Sequence, residues 1–125
     1  MMRKHKGFTL IELMVVMAVI ATLLTLAVPR YFDHLDRARE ATLRESLAVM
    51  RDAIDKYKAD TGNYPAALED LVKRRYLRRL PVDPITERSD SWIGVAPTDG
   101  GANQIWDVQS GAEGTGRDGS EYRTW

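Results

Sequence analysis

Cysteine is absent from this chain of 125 residues, and histidine occurs only twice. Without thiols there are no disulfides to brace a small fold and no thiolate ligands for zinc. The two histidines, His5 and His34, are well separated in the sequence and predict no histidine metal cluster. Neither a G-x-S-x-G motif nor a phosphate-binding glycine loop is present. These absences indicate that the chain is not an enzyme.

An excess of positive charge is also missing, since 18 Lys and Arg residues are balanced by 18 Asp and Glu residues. Domains that bind nucleic acid typically carry a clustered basic surface and an excess of basic residues. Here Arg3, Lys4 and Lys6 all precede Gly7, so the remainder of the chain is more acidic than basic. The composition therefore predicts no nucleic-acid partner, and the length is sufficient for one domain.

A long apolar run, residues 8–28, contains a single ionisable side chain, Glu12. As a helix rising about 1.5 Å per residue, the run spans roughly 31 Å, close to the thickness of a bilayer core of about 30 Å. The basic residues before it predict a cytoplasmic N-terminus, with Arg30 onward across the membrane. A buried core helix and a secretory signal peptide cut near residues 25–27 are the alternatives.

Glu12 raises the question of a partner for its charge. A charge at the centre of a membrane helix costs about 2.5–3.5 kcal/mol on insertion scales, and ionisable groups in membranes are usually paired. A cut between Gly7 and Phe8 would create an ammonium group at Phe8, one helical turn from Glu12. The two charges would then compensate each other within one chain or between neighbours. A glutamate tolerated at the helix start by the helix dipole is the alternative.

The segment KGFTLIELMVVMAVIATLLTLAVP resembles the prepilin-type N-terminus of type IV pilins and of type II secretion pseudopilins. The resemblance implies that residues 1–7 are a leader peptide, which a prepilin peptidase removes after Gly7. It also implies an N-methyl group on Phe8 and an assembly contact between Glu12 and the Phe8 amine of an adjacent subunit. Pro29 lacks a backbone donor and is predicted to break the helix locally, by a kink or an opening. The resemblance implies that the helix can melt and stretch there, and a plain helix end at the membrane boundary is the alternative.

The resemblance thus divides the chain into a leader, a transmembrane and assembly helix over residues 8–29, and a periplasmic head over residues 30–125. After Pro29, apolar residues at helical spacing predict an amphipathic segment that ends at Gly62. Its apolar stripe is Leu43, Leu47, Met50, Ile54 and Tyr57. The other face is predicted to be solvated, with i,i+4 charge pairs at Asp33/Arg37, Glu40/Arg44 and Asp52/Lys56.

The last 65 residues are too few for an independent core, so the helix stripe is predicted to supply half of it. Residues 66–77 are predicted to form a short helix with Leu68, Leu71 and Val72 facing inward. "LPVDPITERSDSW" is predicted to be a loop, and "SWIGVA" and "QIWDV" a β-hairpin. The glycine-rich tail ends in Tyr122 and Trp125, which predict that it packs down. The predicted fold class is α+β: a long N-terminal helix, half membrane and half amphipathic, packed on a small antiparallel β-sheet head, as in pilins.

The second half resembles the major pseudopilin of type II secretion, the GspG type, through "GNYP", "LPVDP", a tryptophan strand and a glycine-rich tail. The resemblance implies a structural subunit of an inner-membrane-anchored periplasmic filament that drives protein export across the outer membrane. The expected partners are further copies, other pseudopilins, the prepilin peptidase and the inner-membrane assembly platform. A type IV pilus subunit and a membrane-tethered periplasmic binding module are the alternatives.

Such pseudopilins often bind calcium in the loop before the terminal tryptophan. The resemblance places the candidate ligands at Glu113, Asp118 and Glu121. Ca²⁺ accepts six to eight oxygens and suits a glycine-rich loop with available carbonyls. Glu113 and Glu121 stand where the family has aspartates, and the loop is shorter than usual. The sequence therefore favours a loop without an ion and leaves calcium as the candidate cofactor.

Overall fold

The computed structural model describes residues 7–101 and 103–125, which form two compact units. The first unit ends at Asp36, and the second runs from Arg37 to Trp125. The elements are helices α1 (Leu10–Thr61) and α2 (Glu69–Lys73), strands β1 (Trp92–Val95) and β2 (Asp107–Ser110), and a 3₁₀ helix at Tyr122–Thr124. Residues 1–6 of the predicted leader, residues 1–7, lie outside the described residues.

Helix α1 passes through Pro29, so the alternative of a plain helix end at this residue is wrong. Proline has no N–H, which removes the bond to the Thr25 carbonyl, yet residues on both sides remain helical. The helix ends where the sequence predicts, at Gly62, whose φ of +79° lies in the left-handed region that glycine adopts readily. The Gly62 N–H donates to the Lys58 carbonyl at 2.9 Å, and the Lys58 ammonium donates to the Gly62 carbonyl at 2.7 Å.

Within the first unit, the N-terminal part of α1 is long and apolar enough to span a membrane, and none of that window is buried. Its two threonine hydroxyls are satisfied by the helix itself. The Thr22 hydroxyl donates to the Ala18 carbonyl at 2.8 Å, and the Thr25 hydroxyl donates to the Thr22 carbonyl at 2.6 Å. A lipid environment would therefore meet an apolar surface without unpaired threonine hydroxyls.

The core of the second unit is built on the predicted stripe of α1. Tyr57 is half-buried beside it, and Ala53, which the sequence pattern had not singled out, joins the buried set. Loop and strand residues close the core from the other side, which confirms that the helix supplies half of it. The buried cluster comprises Leu43, Leu47, Met50, Ala53, Ile54, Leu68, Leu71, Trp92 and Val108.

The second helix is much shorter than the predicted residues 66–77. Helix α2 has only five residues, because Arg75 turns into the left-handed region with φ of 65°. The N–H groups of Tyr76 and Leu77 then both donate to the Leu71 carbonyl, which closes the helix end. The inward residues were predicted correctly for Leu68 and Leu71, while Val72 is only half-buried.

The predicted hairpin is confirmed, but its second strand lies further along the chain. Strands β1 and β2 pair antiparallel, with Trp92 opposite Ser110 and Val95 opposite Asp107. The strand predicted over residues 104–108 begins only at Asp107, because the Ile105 N–H donates outside the sheet to the Pro65 carbonyl at 2.8 Å. The α+β class, a long helix packed on a two-stranded antiparallel sheet, is as predicted.

Candidate functional site

The predicted cleavage point lies in exposed chain just before α1. Gly7, Phe8 and Thr9 have no regular secondary structure, and Phe8 is 91% exposed. A Cβ added at Gly7 would have nothing within 4 Å. The described fold therefore makes no use of a glycine at this position, and the peptide bond that follows is open to another protein.

Thr9 and Glu12 form a reciprocal cap at the start of α1. The Thr9 N–H donates to Oε2 of Glu12 at 3.2 Å, and the Glu12 N–H donates to the Thr9 hydroxyl at 3.2 Å. This is the capping box, in which a threonine and a glutamate three residues later satisfy backbone donors that a helix start leaves open. The signal for it, Thr-x-x-Glu before an apolar run, is present in the sequence, but the interpretation above missed it.

The cap gives the Glu12 carboxylate a hydrogen bond, but no cation of the described residues pairs with its charge. The ion pairs among residues 7–101 and 103–125 do not include Glu12. The cap uses Oε2, and the second oxygen, Oε1, offers further acceptor sites for an ammonium group. The site is thus an ordered carboxylate at the head of an unburied apolar helix, directly after an exposed peptide bond.

Two of the three candidate calcium ligands lie around one surface pocket. Glu113 and Glu121 line a pocket of about 290 Å³ together with Arg123. A guanidinium nitrogen of Arg123 lies 3.8 Å from Oε1 of Glu113, so a cation of the chain itself already shares this space.

Asp118, the third candidate, is not among the residues lining that pocket. Its Oδ1 accepts hydrogen bonds from the Ser120 hydroxyl at 2.6 Å and the Ser120 N–H at 3.0 Å, and its Oδ2 lies 3.5 Å from Arg44. The Ser120 hydroxyl and N–H, together with Arg44, hold the pKa of Asp118 below its ordinary value. In the part of the chain that the structure describes, no three His, Asp or Glu side chains are grouped to hold a metal ion. The three carboxylates do not fit calcium as a common ligand set.

The face of α1 predicted to be merely solvated instead contacts the C-terminal loop. Glu40 accepts a hydrogen bond from the Arg117 N–H at 2.8 Å rather than pairing with Arg44. Arg44 lies over the Trp125 ring, 4.0 Å from its centroid. The Asp52–Lys56 pair, in contrast, forms as predicted at 2.8 Å. The i,i+4 spacing predicted Arg44 as the partner of Glu40. Such spacing gives no information about a contact with Arg117, which is 77 residues away.

The N-terminal segment matches a known family of sequences. Residues 2–28 match the family model described as the prokaryotic N-terminal methylation motif. The match covers the predicted leader, the exposed Gly7–Phe8 bond, the capping box and the apolar helix. It supports the family resemblance on which the N-terminal predictions rest.

Curated relatives cover most of the chain. The type II secretion system core protein G of Vibrio cholerae is 32% identical over 94% of this chain and 91% of its own length. The protein of the same name from Escherichia coli K12 is 31% identical over 89% of this chain and 84% of its own length. The one from Pseudomonas aeruginosa is 36% identical over 66% of this chain and 69% of its own length. No solved structure matches the chain significantly.

Proposed function

This chain belongs to the family of the type II secretion system core protein G, and from that premise we propose how its N-terminal segment works. The chain is a pseudopilin, a structural subunit. A prepilin peptidase hydrolyses the bond between Gly7 and Phe8, and the new amine of Phe8 is methylated. The Glu12 carboxylate then pairs with the Phe8 amine of a neighbouring copy as subunits join through their apolar helices.

The observation that carries this proposal is the capped Glu12, which has no ion-pair partner in the part of the chain that the structure describes. Its Oε2 accepts the Thr9 N–H at 3.2 Å, so the carboxylate is already oriented toward the first residues of the helix. The amine released by cleavage would be the backbone nitrogen one residue earlier, on Phe8. An ammonium and a carboxylate in an apolar environment each lower the cost of burying the other, provided that they meet with good geometry.

Assembly also gives the exposed apolar surface a partner. In the first unit, large side chains such as Leu10, Ile11 and Leu26 are more than two-thirds exposed. The proposed arrangement is a single membrane crossing with a cytoplasmic N-terminus, the second unit in the periplasm, and a periplasmic filament after extraction. Further copies, other pseudopilins and the inner-membrane assembly platform are the proposed partners. The role requires no chemistry by the chain itself.

Substitution at Glu12 tests the pairing, because the cap and the charge can be separated. Glu12→Gln keeps an amide oxygen for the Thr9 N–H, as capping boxes accept glutamine, but removes the charge. We expect Glu12→Gln to insert into the membrane and to lose its leader normally, but to fail to form filaments. Chemical cross-linking between subunits, by a reagent that needs no cysteine, measures filament formation. Glu12→Asp, which keeps the charge on a shorter arm, is the matched control and should retain partial assembly. Filaments of normal yield from Glu12→Gln would contradict the pairing.

Processing is tested at Gly7, where the fold sets no requirement. Since a side chain there meets open space, Gly7→Val should leave the second unit folded and should block removal of the leader. The intact mass and N-terminal sequence of the purified protein give the answer. A wild-type chain that begins at Phe8 with one added methyl group supports the proposal. A chain that begins at Met1, or after residue 27, rules it out.

A further inference from the structure

The C-terminal loop, residues 111–125, is held by three charged side chains on one face of α1. These residues, Glu40, Arg44 and Arg51, are spaced by four and seven positions, which places them on the same helix face. We call these three side chains the clamp. Arg44 of the clamp and the loop's own Arg123 lie beside two of the candidate calcium ligands, Asp118 and Glu113.

Arg51 makes the most extensive contacts of the clamp. Its Nε donates to the Asp107 carboxylate at 2.7 Å, and one terminal nitrogen donates to the main-chain oxygens of Val108 at 3.1 Å and Trp125 at 2.8 Å. One guanidinium thereby ties strand β2 to the last residue. The planar fork of arginine suits such multiple contacts, which the single ammonium of lysine cannot reproduce.

Trp125 is fixed on its other sides as well. Its indole N–H donates to the Ser120 hydroxyl at 2.6 Å, and its ring meets the Tyr122 ring edge-on with centroids 5.0 Å apart. A Cβ added to Gly116 would lie 2.2 Å from the Trp125 ring, so the loop backbone packs directly on it. With Arg44 stacked on the ring, the end of the loop is ordered by contacts from this chain alone.

Positive charge is already supplied to the carboxylates of this loop. Arg44 lies 3.5 Å from Asp118, and Arg123 lies 3.8 Å from Glu113. A calcium ion would bring the same kind of charge to the same groups, but it would also need six to eight oxygens around one point. Asp118 does not line the pocket shared by Glu113 and Glu121, so the three carboxylates do not converge.

We propose that this loop is held in its folded position by the guanidinium groups of Arg44 and Arg51, and that its order is independent of divalent cations. The clamp fixes the loop to α1, while Arg123 lies 3.8 Å from Glu113 within the loop. This inference concerns the isolated subunit and does not rest on the proposed assembly mechanism. Failure of filament formation would leave it unaffected.

Hydrogen exchange of the full chain in detergent micelles tests the proposal, with peptides covering residues 112–125 as the local readout. Wild-type exchange in millimolar calcium chloride should equal that in excess EGTA. Arg51→Ala should speed exchange in the loop on the order of tenfold, because hydrogen bonds to charged groups are lost. Arg44→Ala should speed it about twofold to fivefold, since its side chain is more exposed. Arg39→Ala, an exposed arginine of the same helix, is the matched control and should match wild type.

Arg44→Ala also distinguishes loosening of the loop from loosening of the sheet. Arg51 contacts strand β2, so its removal could loosen the sheet as well as the loop, whereas Arg44 contacts the loop through Asp118 and Trp125. Loop exchange that slows more than twofold when calcium is added to wild type would overturn the proposal. Unchanged loop exchange in both Arg44→Ala and Arg51→Ala would overturn it equally.

Discussion

The hydroxyl of Ser110 donates a 2.5 Å hydrogen bond to the carboxylate of Asp83, and both side chains are fully buried. The other carboxylate oxygen of Asp83 accepts the N–H groups of Ile85 at 2.8 Å and Thr86 at 3.3 Å. One aspartate therefore fixes the turn that follows it and joins that turn to the last residue of strand β2. The sequence interpretation treated this stretch only as a loop.

Removal of the Asp83 carboxylate should destabilise the second unit. Asp83→Ala leaves buried donors without acceptors, at a cost of about 1–3 kcal/mol for each unsatisfied group. We expect a clear decrease in the melting temperature, monitored by tryptophan fluorescence of the full chain in detergent. Asp90→Ala is the control, because Asp90 forms an exposed pair with Arg88 and its loss should change the melting temperature little. Equal melting temperatures for the two variants would contradict the assigned role of Asp83.

Ser110→Ala should have a smaller effect than Asp83→Ala, and the two should not be additive. The serine hydroxyl is one of three donors to Asp83, so its deletion leaves the two backbone contacts in place. Residues that share one hydrogen-bond network typically show coupling in a double-mutant cycle. The melting temperatures of both single variants and the double variant provide the measurement. Full additivity would mean that the two side chains act separately.

Substitutions at nearby positions of α1 should differ sharply in how much they lower the free energy of unfolding. Leu47 is 1% exposed in the core, whereas Val49 is 45% exposed on the same helix. Leu47→Ala should cost about 2–5 kcal/mol of unfolding free energy, as is typical for a large-to-small change in a core. Val49→Ala should cost less than about 0.5 kcal/mol. Thermal unfolding of both variants provides the measurement, and similar losses would be inconsistent with the packing described.

Thr9 should matter for the start of α1 independently of assembly. Thr9→Ala removes the hydroxyl that accepts the Glu12 N–H, and loss of such a cap costs about 1 kcal/mol. We expect the amides of residues 10–13 to exchange several-fold faster in micelles. Thr9→Ser keeps the hydroxyl and should match wild type. If Thr9→Ala exchanged no faster than Thr9→Ser, the cap would have no energetic role.

Protonation of Asp118 in acid should change the environment of the Trp125 indole. The pKa of Asp118 lies below its ordinary value because the Ser120 hydroxyl and N–H bind the carboxylate, with a further contribution from Arg44. A lowered pKa means that this contribution is fully present above the unfolded pKa of about 3.9 and is lost as pH falls through the still lower folded value. The Trp125 indole N–H donates to the same Ser120 hydroxyl, so its NMR resonance should shift in that acidic range.

Asp118→Asn provides the control for the acid response, because it removes the titrating group while keeping an oxygen acceptor for Ser120. In that variant the Trp125 indole resonance should show no corresponding shift below pH 4. A shift of the same size in Asp118→Asn would assign the effect to another acid.

Much of the architecture was predictable because the pattern that specifies it is local. The three- and four-residue steps of Leu43, Leu47, Met50 and Ile54 identify one face of a helix, and all four are buried. The end of α1 at Gly62 was predictable because glycine readily adopts the left-handed conformation in which many helices end. The limits of α2 were not predictable in the same way, because the left-handed turn at Arg75 is unusual for a residue that is not glycine.

The sequence by itself determined the apolar N-terminal helix, the predicted cleavage motif, the isolated carboxylate at Glu12 and the helix face that builds the core. These features depend on composition and on spacings of a few residues, which any fold must respect. Only the tertiary structure decided that Asp83 binds Ser110, that Arg51 binds Trp125, and that Glu40 contacts the loop instead of Arg44. Such contacts join residues 27 to 77 positions apart, and they exist only once the chain has folded back on itself.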